Sequence, residues 1–463
     1  MGTVAARAMS VPAPWRSVVR AMSQTGGASL LSGLLSMLAM KIIAVTLGPA
    51  QVATLSTLQQ LRQAAVTGST LTGQTALVQG ASSSVGQGRR EFLRTVLCLM
   101  TVATGLVVAV LTLAPAWTAR QVGLPVGQEY LVALLGVAVG LAVIYVFLSA
   151  LLNSLGAIGA LATVQLAAPA AMAVLAYPVS RSVAGGNEAW FIVLLATSSM
   201  AAVLAAGLAL YRERYVLREW LVGEGARWNQ AAARRFFAIS GSMFMSGAFS
   251  SWALIVVRAH ILHSEGLAAG GQFDAAWAIS MNQAGLVLAS MQTYYLPTLA
   301  RTSDPEHRAA HIERVLIIAA IAATALIVGL IALKPLVLAT LYSDQFSASA
   351  RYLRWTLAGD YLKITSWILS IPLVASANMR AFLGADLSAY GAFVAASFLL
   401  GNWFTAAESA AIAFVVMYAV HLAFCGACLW SRGEYRPSAR TCAVWLGGLA
   451  TVGLASAVFW RQA

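Results

Sequence analysis

Charge is what this chain has least of. Only 10% of its 463 residues are Asp, Glu, Lys or Arg, against about a quarter in a soluble domain, and 60% are hydrophobic. With a mean hydropathy of +0.78, this composition excludes a soluble globular protein. Acid is scarcer than base, with 16 Asp and Glu against 29 Lys and Arg, of which three are lysine. The arginines fall in short groups between apolar runs, and a nucleic-acid partner would call for one basic stripe or tail, so none is expected. Cysteine is limited to Cys98, Cys425, Cys428 and Cys442, all within or beside apolar segments, which excludes a disulfide framework and gives no redox motif. P-loop, nucleophile-elbow and catalytic-triad patterns are missing too. HRAAH at 307–311 lacks the Glu of an HExxH site, and CGAC at 425–428 lacks a second ligand pair, so no metal or other cofactor is expected.

What is there is a succession of apolar runs. They cover 26–47, 51–79, 95–118, 130–152, 157–179 and 188–210, then 237–259, 272–299, 315–341, 351–377, 381–400 and 407–430. Each is long enough for a helix to cross a hydrocarbon core of about 30 Å. A thirteenth run, TCAVWLGGLATVGLASAVFW at 441–460, also has spanning length, with lying along the membrane surface as the alternative. The expected fold is therefore an all-α polytopic membrane protein. Its organisation reads as an N-terminal tail (1–24), six spans (25–211), a basic interfacial linker (212–236), six more spans (237–430) and a C-terminal segment (431–463) carrying the extra span.

Placing the N-terminus in the cytoplasm sorts the arginines. The cytoplasmic connections then hold Arg89, Arg90 and Arg94; Arg212, Arg214, Arg218, Arg227, Arg234 and Arg235; Arg301, Arg308 and Arg314; Arg380; and Arg432, Arg436 and Arg440. The opposite loops hold little beyond Arg120 and Arg181, as the positive-inside rule requires. Those opposite loops are too short to build an active site, so a transporter is expected and an enzyme is not.

The two halves echo each other. Lys41 in AMKIIAVTLG stands where the second half has Arg258 in IVVRAHIL, and Gln59 and Gln60 match Asn282 and Gln283. Repeats of six spans share an orientation and are related by an axis along the membrane normal. The second span is too polar for lipid: Gln59, Gln60, Arg62, Gln63, Thr67, Ser69, Thr70, Thr72, Gln74 and Thr75 all lie in it, and much of that helix should face water or substrate.

At membrane depth the cations Lys41, Arg62, Arg258, Lys334 and Lys363 outnumber the acids Asp274, Asp360 and Asp386. A net-positive interior of low dielectric suits phosphate or pyrophosphate. Snorkelling to the interface is the competing reading for Lys41, Arg258 and Lys334. Asp360 and Lys363, three apart on one helix face, either neutralise each other or form a proton-coupling pair in which Asp360 takes the proton.

Four passages carry a family resemblance: KIIAVTLGPA at 41–50 with Gln60 following, YYLPTLAR at 294–301, LYSDQFSA at 341–348, and AGDYLKITSWILSIPLVASANMRAF at 358–382. Together with the spacing of twelve spans they cover about residues 25–430, and over that length the chain resembles the Wzx-type polysaccharide-repeat flippases of the multidrug/oligosaccharidyl-lipid/polysaccharide (MOP) exporter superfamily. The resemblance implies two six-helix bundles around a central cationic cavity. It also implies transfer of an undecaprenyl-pyrophosphate-linked oligosaccharide (an O-antigen or common-antigen type of unit) across a bacterial inner membrane, with a polysaccharide polymerase and a chain-length regulator as partners. Lys41, Gln60, Arg258, Asp360 and Lys363 fall on positions matching the family pattern; with Arg62, Asn282 and Gln283 they form the expected substrate-binding set, Asp360 being the proton-coupling candidate. The chain departs from the pattern at Gly80, where its relatives are basic, and in its C-terminal run. A drug or cation antiporter of the same superfamily would need more acid in its cavity. A membrane polymerase or ligase would need longer outer loops, and a scaffold would leave the polar second span without a purpose.

Overall fold

The computed structural model describes residues 15–212, 228–302, 304–376 and 378–460. Most of the expected linker (213–227) and the first 14 residues of the expected tail lie outside them. The helices are α1 (Trp15–Thr70), α2 (Gln74–Ser83), α3 (Gly86–Leu113), α4 (Pro115–Gln121), α5 (Glu129–Ser154), α6 (Ile158–Ala184), α7 (Trp190–Arg212), α8 (Gln230–Arg301), α9 (Pro305–Ala332), α10 (Lys334–Leu341), α11 (Ser349–Ala375), α12 (Met379–Leu400), α13 (Ala406–Ser431) and α14 (Ala439–Trp460), with a 3-10 turn at Asp344–Phe346 before α11.

At 56 and 72 residues, α1 and α8 are far too long for one crossing. Each is broken at a single residue: Gly48 (φ 74°, ψ −177°) in α1 and Gly266 (φ 82°, ψ 177°) in α8. Positive φ of this kind is open to glycine and strained for other residues. Arg258 and Asp274 stand eight residues either side of Gly266, about 24 Å apart along an unbroken helix. They are ion-paired, so the chain reverses at Gly266. Met40 and Ser56, eight residues either side of Gly48, likewise line one cavity. Each half thus opens with a helical hairpin turned by one glycine. The expected connection at 260–271 is instead helix on both sides of that glycine.

Two more apolar runs are broken by proline, which cannot donate to the preceding turn. The third span ends at Leu113 and restarts as α4 at Pro115; the ninth ends at Ala332, and α10 carries Pro335 in its first turn. Both breaks occur at matching places in the two halves, which extends the internal repeat. The second span is also interrupted, at Leu71 (φ 52°) and Thr72 (φ 49°). There Gly73 admits the Phe236 ring from α8, which a Cβ would meet at 2.1 Å.

Ten helices among the described residues are long and apolar enough to cross a membrane, and two of these stretches, Gly27–Ser83 and Gln230–Gln283, each include a hairpin turn. The 27-residue α11 has the length but carries Arg351, Arg354, Asp360 and Lys363. It tolerates them because most of its residues are buried at the centre of the second bundle. Helices α3, α5 and α6 pack around α1 with α7 behind them, α11, α12 and α13 pack around α8, and α1 meets α8 between the two bundles.

The thirteenth run forms α14, which packs along α9 and touches α11. Its start lies beside the arginine-bearing loops, and its far end is held by Lys334 Nζ, which donates to Phe459 O at 2.9 Å. Tyr361 Oη donates to Trp445 O at 2.7 Å, and a Cβ on Gly448 would lie 2.4 Å from that same hydroxyl. Helix α14 therefore runs the length of the bundle and does not lie flat across one end. At the end marked by the two glycine turns, the hairpins close on each other backbone to backbone: a Cβ on Gly271 would stand 1.9 Å from Pro49 O.

Candidate functional site

Beneath that closure lies a cavity between α1 and α8, in two adjoining compartments. Ser56, Gln59, Gln60 and Gln63 recur at i, i+3, i+4 and i+7, so the second arm of α1 presents one polar stripe, and all four line the smaller compartment of about 330 Å³. Arg62 lines the larger one, about 370 Å³, with Gln59, Gln63 and Asn282. The other polar residues of that arm do not share this face. Ser69 and Thr70 are buried, and Thr57 and Thr70 donate to the carbonyls of Ala53 and Val66, each at 2.8 Å. A threonine that satisfies its hydroxyl on its own helix can face a packed neighbour, which is why the span is less water-facing than its composition suggests.

The two cavity arginines are differently committed. Arg62 donates to the neutral Ser199 Oγ at 2.9 Å and keeps its charge uncompensated by that contact. Arg258 grips both oxygens of Asp274, and also donates to Thr57 Oγ1 at 3.2 Å and Ala53 O at 2.9 Å. Its fork is thus spent on one carboxylate and on α1 of the other bundle.

The remaining expected residues scatter. Asn282 lines the larger compartment while donating to Ala278 O at 2.8 Å. Lys41 points elsewhere and donates to Thr340 O of α10 at 2.5 Å. The glycine turns explain the contrast with Arg258: Lys41 is seven residues before Gly48, whereas Arg258 is eight before Gly266, and one residue turns a helical side chain by about 100°. The counterpart of Arg258 in this register is Met40, which lines both compartments. By the same register Gln59 and Gln60 match Trp277 and Ala278, not Asn282 and Gln283.

Gln283, Asp360 and Lys363 lie within the second bundle and are not among the residues that line the two compartments. Asp360 is fully buried and accepts from Ser280 Oγ at 2.8 Å and Gln283 Nε2 at 2.6 Å. Lys363 turns to Met281 Sδ at 3.0 Å and to the Phe414 and Tyr418 rings, 5.9 and 5.8 Å from their centroids. Among the described residues no hydrogen bond joins Asp360 to Lys363, but the two charges share a helix face and act on each other electrostatically. Gly80 packs under Phe92: that ring would stand 2.0 Å from a Cβ there, so any larger residue would have to displace it.

Two features escaped the sequence, the partners of Asp386 and the place of Trp277. Asp386 accepts from Ser246 Oγ, and its other oxygen lies 3.5 Å from His421 Nε2. The 34 residues between Asp386 and His421 gave no signal. Trp277, one of 13 tryptophans, lines the smaller compartment.

No protein-family profile matches the chain. A segment of 153 residues is 27% identical to the lipid III flippases of Escherichia coli (strain K12) and Shigella flexneri, covering 32% of this chain and 35% of each relative. The match thus spans about a third of the curated relatives. Among solved structures, the lipid II flippase MurJ in an inward closed conformation aligns with a TM-score of 0.70 at 14% identity, over 96% of this chain and 99% of that one. An inward-facing multidrug resistance MATE family transporter of the MOP superfamily gives 0.70 at 13%, over 92% and 95%. The fold is that of the MOP superfamily. In this fold the hairpins α1 and α8 supply facing walls of the cavity, and of the residues the sequence had marked, Gln59, Gln60, Arg62, Arg258 and Asn282 stand in them.

Proposed function

We propose that the protein is a flippase that carries an undecaprenyl-pyrophosphate-linked oligosaccharide unit between leaflets of a bacterial inner membrane. The observation that carries this reading is the charge of the cavity. Its one lining carboxylate among the described residues, Asp274, is already bound to Arg258, which leaves Arg62 as the uncompensated charge. A positive, amide-lined chamber of low dielectric favours an anionic headgroup bearing hydroxyls. The partial identity to lipid III flippases supports the same substrate class. The arginine-bearing loops fit a cytoplasmic N-terminus, and a polymerase and a chain-length regulator fit as partners that consume the product.

The rival reading is a cation antiporter, favoured by the carboxylates Asp360 and Asp386 inside the second bundle. Purified protein in proteoliposomes separates the two. A fluorescent undecaprenyl-diphosphate oligosaccharide should exchange leaflets, and more slowly with Arg62→Ala, whereas ethidium should not accumulate under an imposed proton gradient. Gradient-driven ethidium uptake without lipid exchange would replace this proposal with the antiporter.

A further inference from the structure

The two compartments share Met40, Gln59, Gln63 and Ala278 yet differ in charge and chemistry. In the larger, Arg62 is the one charged side chain among the described lining residues. In the smaller, Arg258 and Asp274 cancel, and the uncharged lining combines the rings of Phe273, Trp277 and Phe393 with the amides of Gln59, Gln60 and Gln63, beside aliphatic side chains and Ser56. Trp277 is held from behind by the Phe414 ring, edge-on at 5.0 Å, with Phe273 at 5.6 Å and Phe393 at 6.2 Å. An indole braced on several sides and still partly open to a cavity is a fixed platform.

We propose that the smaller compartment is a saccharide subsite floored by Trp277 and edged by the Gln59 and Gln60 amides, and that Arg62 holds the phosphate end of the same molecule in the larger one. This rests on the lipid-linked saccharide reading and deepens it. A pyranose ring is uncharged, so a neutral compartment suits it better than a cationic one. Its C–H face is weakly positive and apolar, matching the negative face of an indole. Its hydroxyl rim needs both donors and acceptors, and a side-chain amide provides both. Phosphate gains little beside Arg258, whose donors are spent, and most beside Arg62, which bonds a neutral hydroxyl it can exchange for an anion. At about 330 Å³ the compartment is within the range of small-ligand pockets, roughly 300–1,000 Å³.

The test is equilibrium binding of two probes of equal charge to the purified full chain in detergent: farnesyl diphosphate capped on its terminal phosphate as the methyl ester, and farnesyl diphosphate carrying one glucose there. Wild type should bind the glucosylated probe more tightly, by roughly tenfold for one good aromatic stack. Trp277→Leu should bring that affinity ratio close to one, Trp277→Phe should keep most of it, and Arg62→Gln should weaken both probes while leaving the ratio intact. The double variant Gln59→Ala/Gln60→Ala, at half-buried cavity positions, should also lower the ratio and serves if Trp277→Leu does not fold. Equal binding of the two probes by wild type, or a ratio unmoved by the Trp277 and glutamine variants, overturns the saccharide subsite and leaves the flippase reading standing. Failure of wild type to bind either probe removes both.

Discussion

Replacing Arg258 with Ala strips the Asp274 carboxylate of its counter-ion while leaving it buried, at 6% exposure. Stranding one member of a buried pair costs about 3–5 kcal/mol, whereas removing both charges together is close to neutral. The same substitution also deletes the bonds from Arg258 to Thr57 Oγ1 and Ala53 O, which tie the second bundle to the first. Arg258→Ala and Asp274→Asn should therefore each lower the denaturant midpoint of the purified protein strongly, and Arg258→Met with Asp274→Asn should recover most of the loss. Arg258→Lys should fall between, since it keeps the charge and loses the planar fork. Unfolding in detergent followed by circular dichroism, paired with lipid exchange in vesicles, reads both quantities. A double variant that regains stability should regain exchange. An Arg258→Ala protein that unfolds like wild type but exchanges no lipid, with the double variant equally inactive, would refute the latch and make Arg258 a ligand of the substrate.

Gly271→Ala should prevent closure at the glycine-turn end, because the new methyl meets the Pro49 carbonyl and neither side is a flexible side chain; raised maleimide labelling of a cysteine placed at Gln272 reports it, and unchanged labelling counts against it. Gly448→Val should push α14 away from Tyr361 and Thr324 and cost about 1–3 kcal/mol of stability through overpacking, measured as a lower unfolding midpoint. Gly266→Ala should destabilise by about 1–3 kcal/mol through its positive φ alone, since a Cβ there meets nothing within 4 Å; a wild-type midpoint would show that the turn can relax. Asp360→Asn should retain lipid binding but lose any dependence of exchange on a proton gradient; preserved dependence eliminates Asp360 as the coupling group.

Apolar run length was enough to show an all-α membrane fold, because a buried or lipid-facing helix cannot hide its composition. The breaks at Pro115 and Pro335 were also written in the sequence, but each lies inside a run whose summed hydropathy carries across it. Gly266 was harder: HILHSEGLAAGG reads as a loop by its small and polar residues, and only the match to Gly48 shows that one residue makes the turn. Gln59, Gln60 and Gln63 were legible as part of a span too polar for lipid, but the stripe they form with Ser56 emerges only from the cavity lining. The pairing of Arg258 with Asp274 was not, since it depends on where the chain reverses, and a one-residue error in that register misassigned Lys41 as its equivalent. Asp360 and Lys363 share a helix face as expected, yet their partners come from α8 and α13, which spacing within α11 cannot reveal.

The single-residue turn at Gly266 bears on how the protein enters the membrane. A hairpin turned by one glycine leaves only the short segment around His263, Ser264 and Glu265 to pass across the bilayer ahead of its second arm, which favours insertion of the two arms of α8 together. Arg258 or Asp274 entering alone would cost roughly 3 kcal/mol on insertion scales. Because they stand equally far from the turn, they meet as soon as the hairpin folds, and the insertion machinery receives a neutral pair in place of two isolated charges. A residue pair that latches the mature bundles would then already have served during biogenesis, and moving Asp274 one turn along the helix should reduce membrane integration of the isolated hairpin before any substrate is present.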